Sequence, residues 1–527
     1  MTNQWVHAGE MLRLNALFYP DKIAWQDERR QAPFRQWRRR ACQLANAFVG
    51  LDVGPRKCVG MLSYNRGEWM DMYAACALGG QIAVPLMFRL SAPEIAYIIN
   101  HADCRALIVE APFVEMIDGM RDQIDIAEKR LIYLGPPPVP AGFTDFETLI
   151  GRARPDAPAH RVGDDDIWVI MYTSGTTGQA KGVVRTHAAH TAQHLINNMN
   201  TGVAHDDRAL LPMPMAHVNS LFYAFSYAMV GATVHIYNGN RFDPLHFLET
   251  LAVQRMSFTS LVPTHYTLLL EALRHAHAPF DLDAVRDLLI SSAPARHQLK
   301  QAIMDRFANA RLWEAYGSTE GGLITLLRPE EQFSRIGTIG REPAGTGRIK
   351  ILDRQRHEVK DGDIGEIFFR TPMLFKRYLH DPRLTRDAFA DGWATSGDMG
   401  YRDPGNGYYT LVDRKAHMII SGGENIYPSE VERVLAAHPA VREVAVIGVP
   451  DNKWGEAVKA VVVVKDKEAP VSALADELQA FCRGKLADFK QPKSISFLAN
   501  DEMPRLPTGK IQVRRLRRRF GGDANRR

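Results

Sequence analysis

Tyr172-Thr-Ser-Gly-Thr-Thr-Gly-Gln-Ala-Lys-Gly182 decides how the rest of the chain is read. The apolar, β-branched run Ile167-Trp-Val-Ile-Met-Tyr172 predicts a strand that enters it directly. The stretch itself is built from Gly175, Gly178 and Gly182, a run of hydroxyl side chains and Lys181. Glycine lets backbone N–H groups approach a polyphosphate, and hydroxyls add further donors. It is not a Walker A loop. Counted from Gly175, the GxxxxGK[ST] pattern needs Gly at 180 and Ser or Thr at 182, where the chain has Ala180 and Gly182. A strand running into a phosphate-binding loop of another kind is the expectation.

Outward from this loop, short strand-like runs alternate with helical patterns. Ala106-Leu-Ile-Val109, Leu288-Leu-Ile290 and Glu366-Ile-Phe-Phe369 read as strands, which argues for an α/β chain. Gly135 to Gly142 and Arg152 to Arg161 carry the Pro and Gly punctuation of surface loops. Toward the end, Glu430 to His438 predicts a helix with Val431, Val434 and Leu435 on one face. Val444 to Val449 and Lys459 to Lys465 predict strands, and Ser472 to Leu486 another helix. The expected architecture is a large, multi-subdomain α/β N-terminal domain, 1–415, and a smaller, mobile α+β C-terminal domain, 416–527.

Composition narrows the function. At ~100–200 residues per domain, 527 residues suggest two to four domains and a large core. A net charge of +5 on 65 basic and 60 acidic residues is too balanced for a nucleic-acid protein. Local basic runs, Arg38-Arg39-Arg40 and Arg514-Arg515-Leu516-Arg517-Arg518-Arg519, are expected to be solvated. Cys42, Cys58, Cys76, Cys104 and Cys482 are odd in number and widely spaced, against a disulfide framework or zinc ribbon and for a reducing compartment. Ala209 to Asn240 lacks Asp, Glu, Lys and Arg, but its uninterrupted apolar part, Leu221 to Val230, is about half the ~20 residues a membrane span needs. It reads as buried interior or pocket wall, and a cytoplasmic protein with no transmembrane segment is expected.

Further motifs follow in chain order: Tyr316-Gly-Ser-Thr-Glu320, Thr395-Ser-Gly-Asp398, Asp413-Arg-Lys415 with Ser421-Gly-Gly-Glu-Asn-Ile-Tyr-Pro428, and Pro507-Thr-Gly-Lys510. With these the chain resembles the AMP-forming acyl-CoA synthetases, the superfamily that also holds nonribosomal-peptide adenylation domains and firefly luciferase. The resemblance implies ATP, Mg²⁺ and coenzyme A as co-reactants. A small carboxylic acid becomes acyl-AMP with release of pyrophosphate, and the acyl group then passes to the coenzyme A thiol. It is compatible with a homodimer. Transfer to a carrier-protein thiol and luciferase-like oxygenation are the other chemistries of the superfamily.

Each implied site residue also has a physical reason. Thr173, Ser174, Gly175, Thr176, Thr177, Gly178 and Lys181 would cradle the phosphates, with Thr177 also at the metal. Ser292, Ala293, Pro294, Glu314, Ala315, Tyr316, Gly317, Ser318 and Thr319 would surround the nucleotide, Tyr316 offering a ring to stack on adenine. Glu320 is a hard oxygen ligand suited to Mg²⁺ held with substrate phosphates. Asp398 and Arg414 would take the ribose hydroxyls. Lys510 would bridge the attacking carboxylate and the α-phosphate, a cation between two anions that must meet. The catalytic set is then Lys510, Thr173, Glu320 and His217.

The acyl pocket would be gated by His217 and lined by Asn219, Ser292, Ala315, Gly322, Leu323 and Ile324. No acid occurs from Ala209 to Asn240 to pair with an ammonium group, so an apolar fatty or aryl acid is expected over an amino acid. Ser421, Gly422, Gly423 and Glu424 would line the coenzyme A tunnel, and Ala416 would be the hinge, where the family usually has Lys or Asp. His187, His190 and His194 share a helical face, but no Cys or carboxylate flanks them, so surface or packed histidines are expected and not a metal site.

Overall fold

The computed structural model describes residues 7–173, 180–238, 241–276, 279–293, 295–415, 417–421, 424–451, 453–465, 471–483, 485–505 and 510–521, with backbone only at 424, 425, 471 and 472. Contacts divide the chain into two compact units, Met1–Ile349 with Phe368–Ser396, and Lys350–Ile367 with Gly397–Arg527. The division gathers the strand Tyr409–Arg414 with the C-terminal residues, since Ser429 N–H donates to the Asp413 carboxylate at 3.0 Å and the Ser429 hydroxyl bonds the Val412 carbonyl. The sequence boundary after residue 415 marks an expected hinge, a property different from the density of contacts.

Among its described residues the first unit holds two eight-stranded sheets. One is largely parallel at its centre, Cys58–Leu62 lying between Ile82–Leu86 and Cys104–Glu110. The strand Ile167–Thr173 lies beside Ile82–Leu86 and pairs antiparallel with Lys181–Thr186. Its unbroken apolar run suits a strand covered on both faces. Pairing of Thr173 with Lys181 makes the quoted stretch a hairpin whose tip, 174–179, lies outside the described residues.

The other sheet carries Arg208–Leu211, Phe258–Leu261, Asp287–Ser291 and Arg311–Ser318 in parallel, with Gly322–Leu327 added antiparallel to the last. The helices His187–Thr201 and Val218–Met229 pack on one another. The first starts where Thr186 Oγ1 accepts the Ala189 N–H and stops at Gly202, whose φ of 70° suits glycine. The second is the uncharged stretch, and its burial, from Asn219 to Ala228, confirms interior and not membrane. No helix among the described residues is long and apolar enough to cross a membrane.

The core of this unit is aromatic. Trp168 meets the Phe225 ring edge-on at 4.9 Å, and the histidines of the first helix pack around it. His187, His190 and His194 are each about 1% exposed, so the packed alternative holds and the surface one is corrected: the face they share is the inward one. Arg40 also departs from expectation. It is held 2.8 Å from buried Asp71 and 2.8 Å from Glu147, so it is a structural ion pair and not a solvated charge.

In the second unit, Val441–Asp451 and Gly455–Val464 form a long antiparallel pair, which Ser494–Phe497 joins in parallel. The helix Pro428–Leu435 buries Val431 and Leu435 against it, as the periodicity predicts. The next helix, Val471–Cys482, stops short of Leu486; its end tightens into i→i−3 bonds, Arg483 N–H to the Ala480 carbonyl at 3.0 Å and Lys485 N–H to the Cys482 carbonyl at 3.1 Å. The basic tail forms the helix Val513–Gly521, anchored by buried Leu516.

Candidate active site

The clearest constellation in the first unit stands at the root of the glycine-rich hairpin. Lys181 Nζ lies 3.3 Å from Glu320 Oε1 and donates to the Tyr378 hydroxyl at 3.0 Å. Tyr378 in turn donates to Glu320 Oε1 at 2.8 Å. Three distant pieces of chain meet here. Lys181 opens the strand Lys181–Thr186, Glu320 follows the strand Arg311–Ser318, and Tyr378 ends Arg377–Tyr378, which pairs with Lys181–Thr186. Glu320 is 5% exposed, whereas the lysine side chain keeps 22% of its surface open. A buried carboxylate beside a half-open ammonium can meet a metal and a phosphate on the same side. Nothing in the sequence had marked Tyr378; its signal is a strand pairing that spacing does not reveal.

The turn bearing Glu320 is tightly built. A Cβ on Gly317 would come within 2.3 Å of the Gly322 carbonyl oxygen, so only glycine lets these strands approach. Gly321 N–H donates to Ser318 Oγ at 3.0 Å, and Phe375 N–H to the Glu320 carbonyl at 2.8 Å. The Thr319 carbonyl accepts from Arg185 Nη1 at 2.7 Å. Tyr316 and Ser318 belong to the same strand, and Tyr316 is half-buried.

The neighbouring strand end supplies the other expected nucleotide residues. Ser292 takes a left-handed backbone, φ 70°, unusual for a residue with a side chain and a mark of local strain at the strand end. Glu314 is half-committed already: its carboxylate pairs with buried Lys300, and burial pushes its pKa up. Ala315 and Ala293 lie beside these positions, half-buried. Pro294 lies outside the described residues, as do Ser174, Gly175, Thr176, Thr177 and Gly178. Thr173 is inside them, and its hydroxyl is buried with no partner among the described residues.

Of the acyl-wall candidates, Asn219 is the most firmly held. Its Nδ2 donates to Ser260 Oγ at 3.0 Å and to Ser291 Oγ at 2.8 Å, tying the helix Val218–Met229 to two strand ends. His217 caps that helix, its Nδ1 accepting the Asn219 N–H at 3.3 Å. Leu323 and Ile324 are buried in the strand Gly322–Leu327. Gly322 takes φ 70°, and a Cβ there would strike Gln193 Oε1 at 2.2 Å.

The second unit brings together Asp398, Arg414 and Lys510. Asp398 and Arg414 face each other across paired strands, 3.0 Å from carboxylate to guanidinium. Gly397, at φ 81° within the strand Trp393–Arg402, takes a left-handed backbone just before the carboxylate, which suits glycine. Lys510 has an open residue surface, yet protein packed around the ammonium, and next the Arg414 guanidinium, hold its pKa below the usual lysine range, with Asp398 opposing. Those influences place all three within electrostatic reach. Ser421 and Glu424 pair as the last rungs of a hairpin that brackets 422 and 423. Gly422, Gly423 and the hinge candidate Ala416 lie outside the described residues.

Among the described residues no group of three or more His, Cys, Asp or Glu could cage a metal. The donor set instead suits a cation held mainly by substrate phosphates, with Glu320 as its carboxylate.

Residues 12–379 match the family described as AMP-binding enzyme, and residues 430–510 match the AMP-binding enzyme C-terminal domain. The chain is 36% identical to a feruloyl-CoA synthase of an Amycolatopsis species, over 92% of this chain and 93% of that protein. It is 33% identical to a long-chain-fatty-acid–CoA ligase of Mycobacterium tuberculosis, over 97% and 98%. Among solved structures, an anthranilate CoA ligase in complex with anthranoyl-AMP superposes with a TM-score of 0.85 at 28% identity, over 98% of this chain and 97% of that one. The o-succinylbenzoate coenzyme A synthetase of Bacillus subtilis, in complex with ATP and magnesium ion, gives 0.82 at 27%, over 96% and 99%.

Proposed function

The chain belongs to the AMP-binding enzyme family, the AMP-forming acid–thiol ligases, and from that premise we propose that it joins coenzyme A to a carboxylic acid with an apolar, fatty or aryl, body. ATP and coenzyme A are its co-substrates, and Mg²⁺ its metal. The observation that carries the residue assignments is the Lys181–Tyr378–Glu320 cluster at the root of the glycine-rich hairpin.

In the first half-reaction an oxygen of the acid's carboxylate attacks the α-phosphorus of ATP. The new O–P bond forms as the bond to the pyrophosphate oxygen breaks, and pyrophosphate leaves with the electron pair. Lys181, Thr173 and the loop beyond it hold the phosphates. Glu320, with Thr177, holds Mg²⁺, which when bound neutralises phosphate charge. Tyr316 stacks on adenine, while Asp398 and Arg414 hold the ribose. Lys510 offsets the repulsion between the two anions, and loss of one such group costs on the order of 10²–10³ in rate. In the second half-reaction the thiol sulfur attacks the acyl carbon, loses its proton, and AMP departs. We assign that half to the hairpin Ser421–Glu424, presented by rotation about Ala416. The relatives named above are CoA ligases, which supports coenzyme A over a carrier-protein thiol or oxygen. Five buried free cysteines support a cytoplasmic site of action, and a homodimer is the assembly to test by size-exclusion chromatography with light scattering.

Lys510→Ala is expected to abolish acyl-AMP formation, followed as pyrophosphate release, and to spare thioester formation from supplied acyl-AMP. Gly422→Trp is expected to do the reverse. Equal loss of both halves in both variants contradicts the division of labour. Release of ADP in place of AMP and pyrophosphate overturns the function itself.

A further inference from the structure

Four residues along the strand from Lys181, on the same face, stands a second cation with a different fate. Arg185 is fully buried. One of its donors, Nη1, goes to the Thr319 carbonyl, and the guanidinium lies 5.0 Å from the centre of the Phe222 ring. Its Nε and Nη2 are buried and find no partner among the described residues. Among the described residues Glu320 is the carboxylate that acts on it, and that group is already engaged by Lys181 and Tyr378. Burial draws the Arg185 pKa down to about 10, so the group stays charged at neutral pH.

The surroundings of Arg185 are polar and equally unfinished. His190 packs against Phe222 at 5.6 Å, and neither of its ring nitrogens finds a partner among the described residues. His194 meets Ser226 Oγ at 3.4 Å with Nδ1 and the backbone of Phe222 also acts on its ring, while its Nε2 finds no partner among the described residues. Burial keeps both imidazoles neutral, His194 pushed down to about 3. A line of hydrogen bonds connects this layer to the acyl wall. Leu323 N–H donates to Gln193 Oε1 at 3.0 Å, Gln193 Nε2 to Asn197 Oδ1 at 2.8 Å, and Asn197 Nδ2 to Ser226 Oγ at 3.1 Å. Phe222 itself lies one turn beyond Asn219 on the same helix.

Holding the Thr319 carbonyl needs one neutral donor. A guanidinium used for that alone would leave a charge and two N–H groups desolvated without compensation, a cost of several kcal/mol. Nε and Nη2 form one edge of the guanidinium fork, the edge that takes a carboxylate through two parallel hydrogen bonds. We propose that Arg185, flanked by His190 and His194, ends the acyl-binding site and selects an acid that carries a second carboxylate remote from the one activated. The inference rests on the adenylation reading above, because only there do Leu323 and Asn219 line the acyl chain.

The test uses the full-length enzyme and acids matched in length and shape. Three aryl-propanoic acids bear methyl, carboxamide or carboxylate at the far ring position, and each is followed by pyrophosphate release to give kcat/KM. The wild type is expected to favour the carboxylate over the methyl compound. Arg185→Met is expected to lower that ratio on the order of 10⁴-fold, within the discrimination a site built for a polar group exerts, and Arg185→Lys to lower it less. If Arg185→Met fails to fold, calorimetric titration of the wild type with the same three acids reads the preference directly. Equal kcat/KM for methyl and carboxylate acids in the wild type, or a carboxamide taken as well as the carboxylate, overturns the proposal. So does a variant that slows every acid alike, which would leave Arg185 a positioning residue for the Thr319–Glu320 turn. An enzyme that released no pyrophosphate with any acid would break the adenylation reading instead, and this inference with it.

Discussion

Lys181 and Arg185 lie on one strand, face the same way and border the same turn, yet their surroundings differ in kind. Lys181 is half-open and its network is closed, with Tyr378 and Glu320 completing it. Arg185 is shut in and its network is open, with two donors and the His190 ring beside it left without partners among the described residues. A cation that keeps some water and has its counter-charge can let a phosphate come and go. One buried without a counter-charge is costly unless something brings the charge to it. On the proposed reading, the first is the chemical end of the site and the second its selective end.

The sharpest way to break this comparison is at the chemical end. Glu320→Gln keeps the shape and the Tyr378 contact but removes the charge. Acyl-AMP formation should fall on the order of 10²–10³-fold in pyrophosphate-exchange assays. Thermal stability should fall as well, because buried Arg185 loses the carboxylate charge that acts on it. A rate within a few-fold of wild type would mean that Glu320 belongs to the scaffold.

At the selective end, acid should act on stability first. His187, His190 and His194 have pKa values held below the ordinary 6.5 by burial, so the unfolded chain takes up protons that the folded one refuses. Their contribution is fully present above pH 6.5 and is lost as pH falls toward the folded values. The loss is about 1 kcal/mol per imidazole between pH 6.5 and 5.5, roughly 3 kcal/mol for the three. Denaturant melts at the two pH values measure it, and His190→Leu should remove about a third of the slope. An unchanged slope in that variant would show that other groups carry the acid sensitivity.

The smallest effect is expected within the chemical end itself. Tyr378→Phe removes the hydroxyl shared by Lys181 and Glu320 while keeping the ring under the ammonium, 4.4 Å away. A loss of about 1 kcal/mol, close to five- to tenfold in adenylation rate, is expected. No change would mean that the ion pair positions itself unaided.

Much of the fold was legible from local pattern. The apolar runs at Cys104–Glu110, Ile167–Thr173, Asp287–Ser291 and Gly365–Phe369 are strands, and Val431 and Leu435 face the core of their own unit. The same logic failed where burial, and not periodicity, sets the outcome. Nothing local distinguishes Arg40, paired with buried Asp71, from a solvated arginine, or His190 in the core from a surface histidine. Tyr378 escaped notice because its partners stand 58 and 197 residues away.

The sequence by itself determined the motifs on which the proposed site rests: a strand-fed glycine–threonine loop, Glu320 after Tyr316, Asp398 after a glycine, and Lys510. Side-chain type and short-range spacing carry that information, because backbone approach, charge and turn geometry are local properties. Tertiary structure alone decided which of these groups share a counter-ion and which polar atoms are cut off from water. Desolvation and charge pairing depend on what the rest of the chain packs alongside, and so they are settled only when distant strands meet.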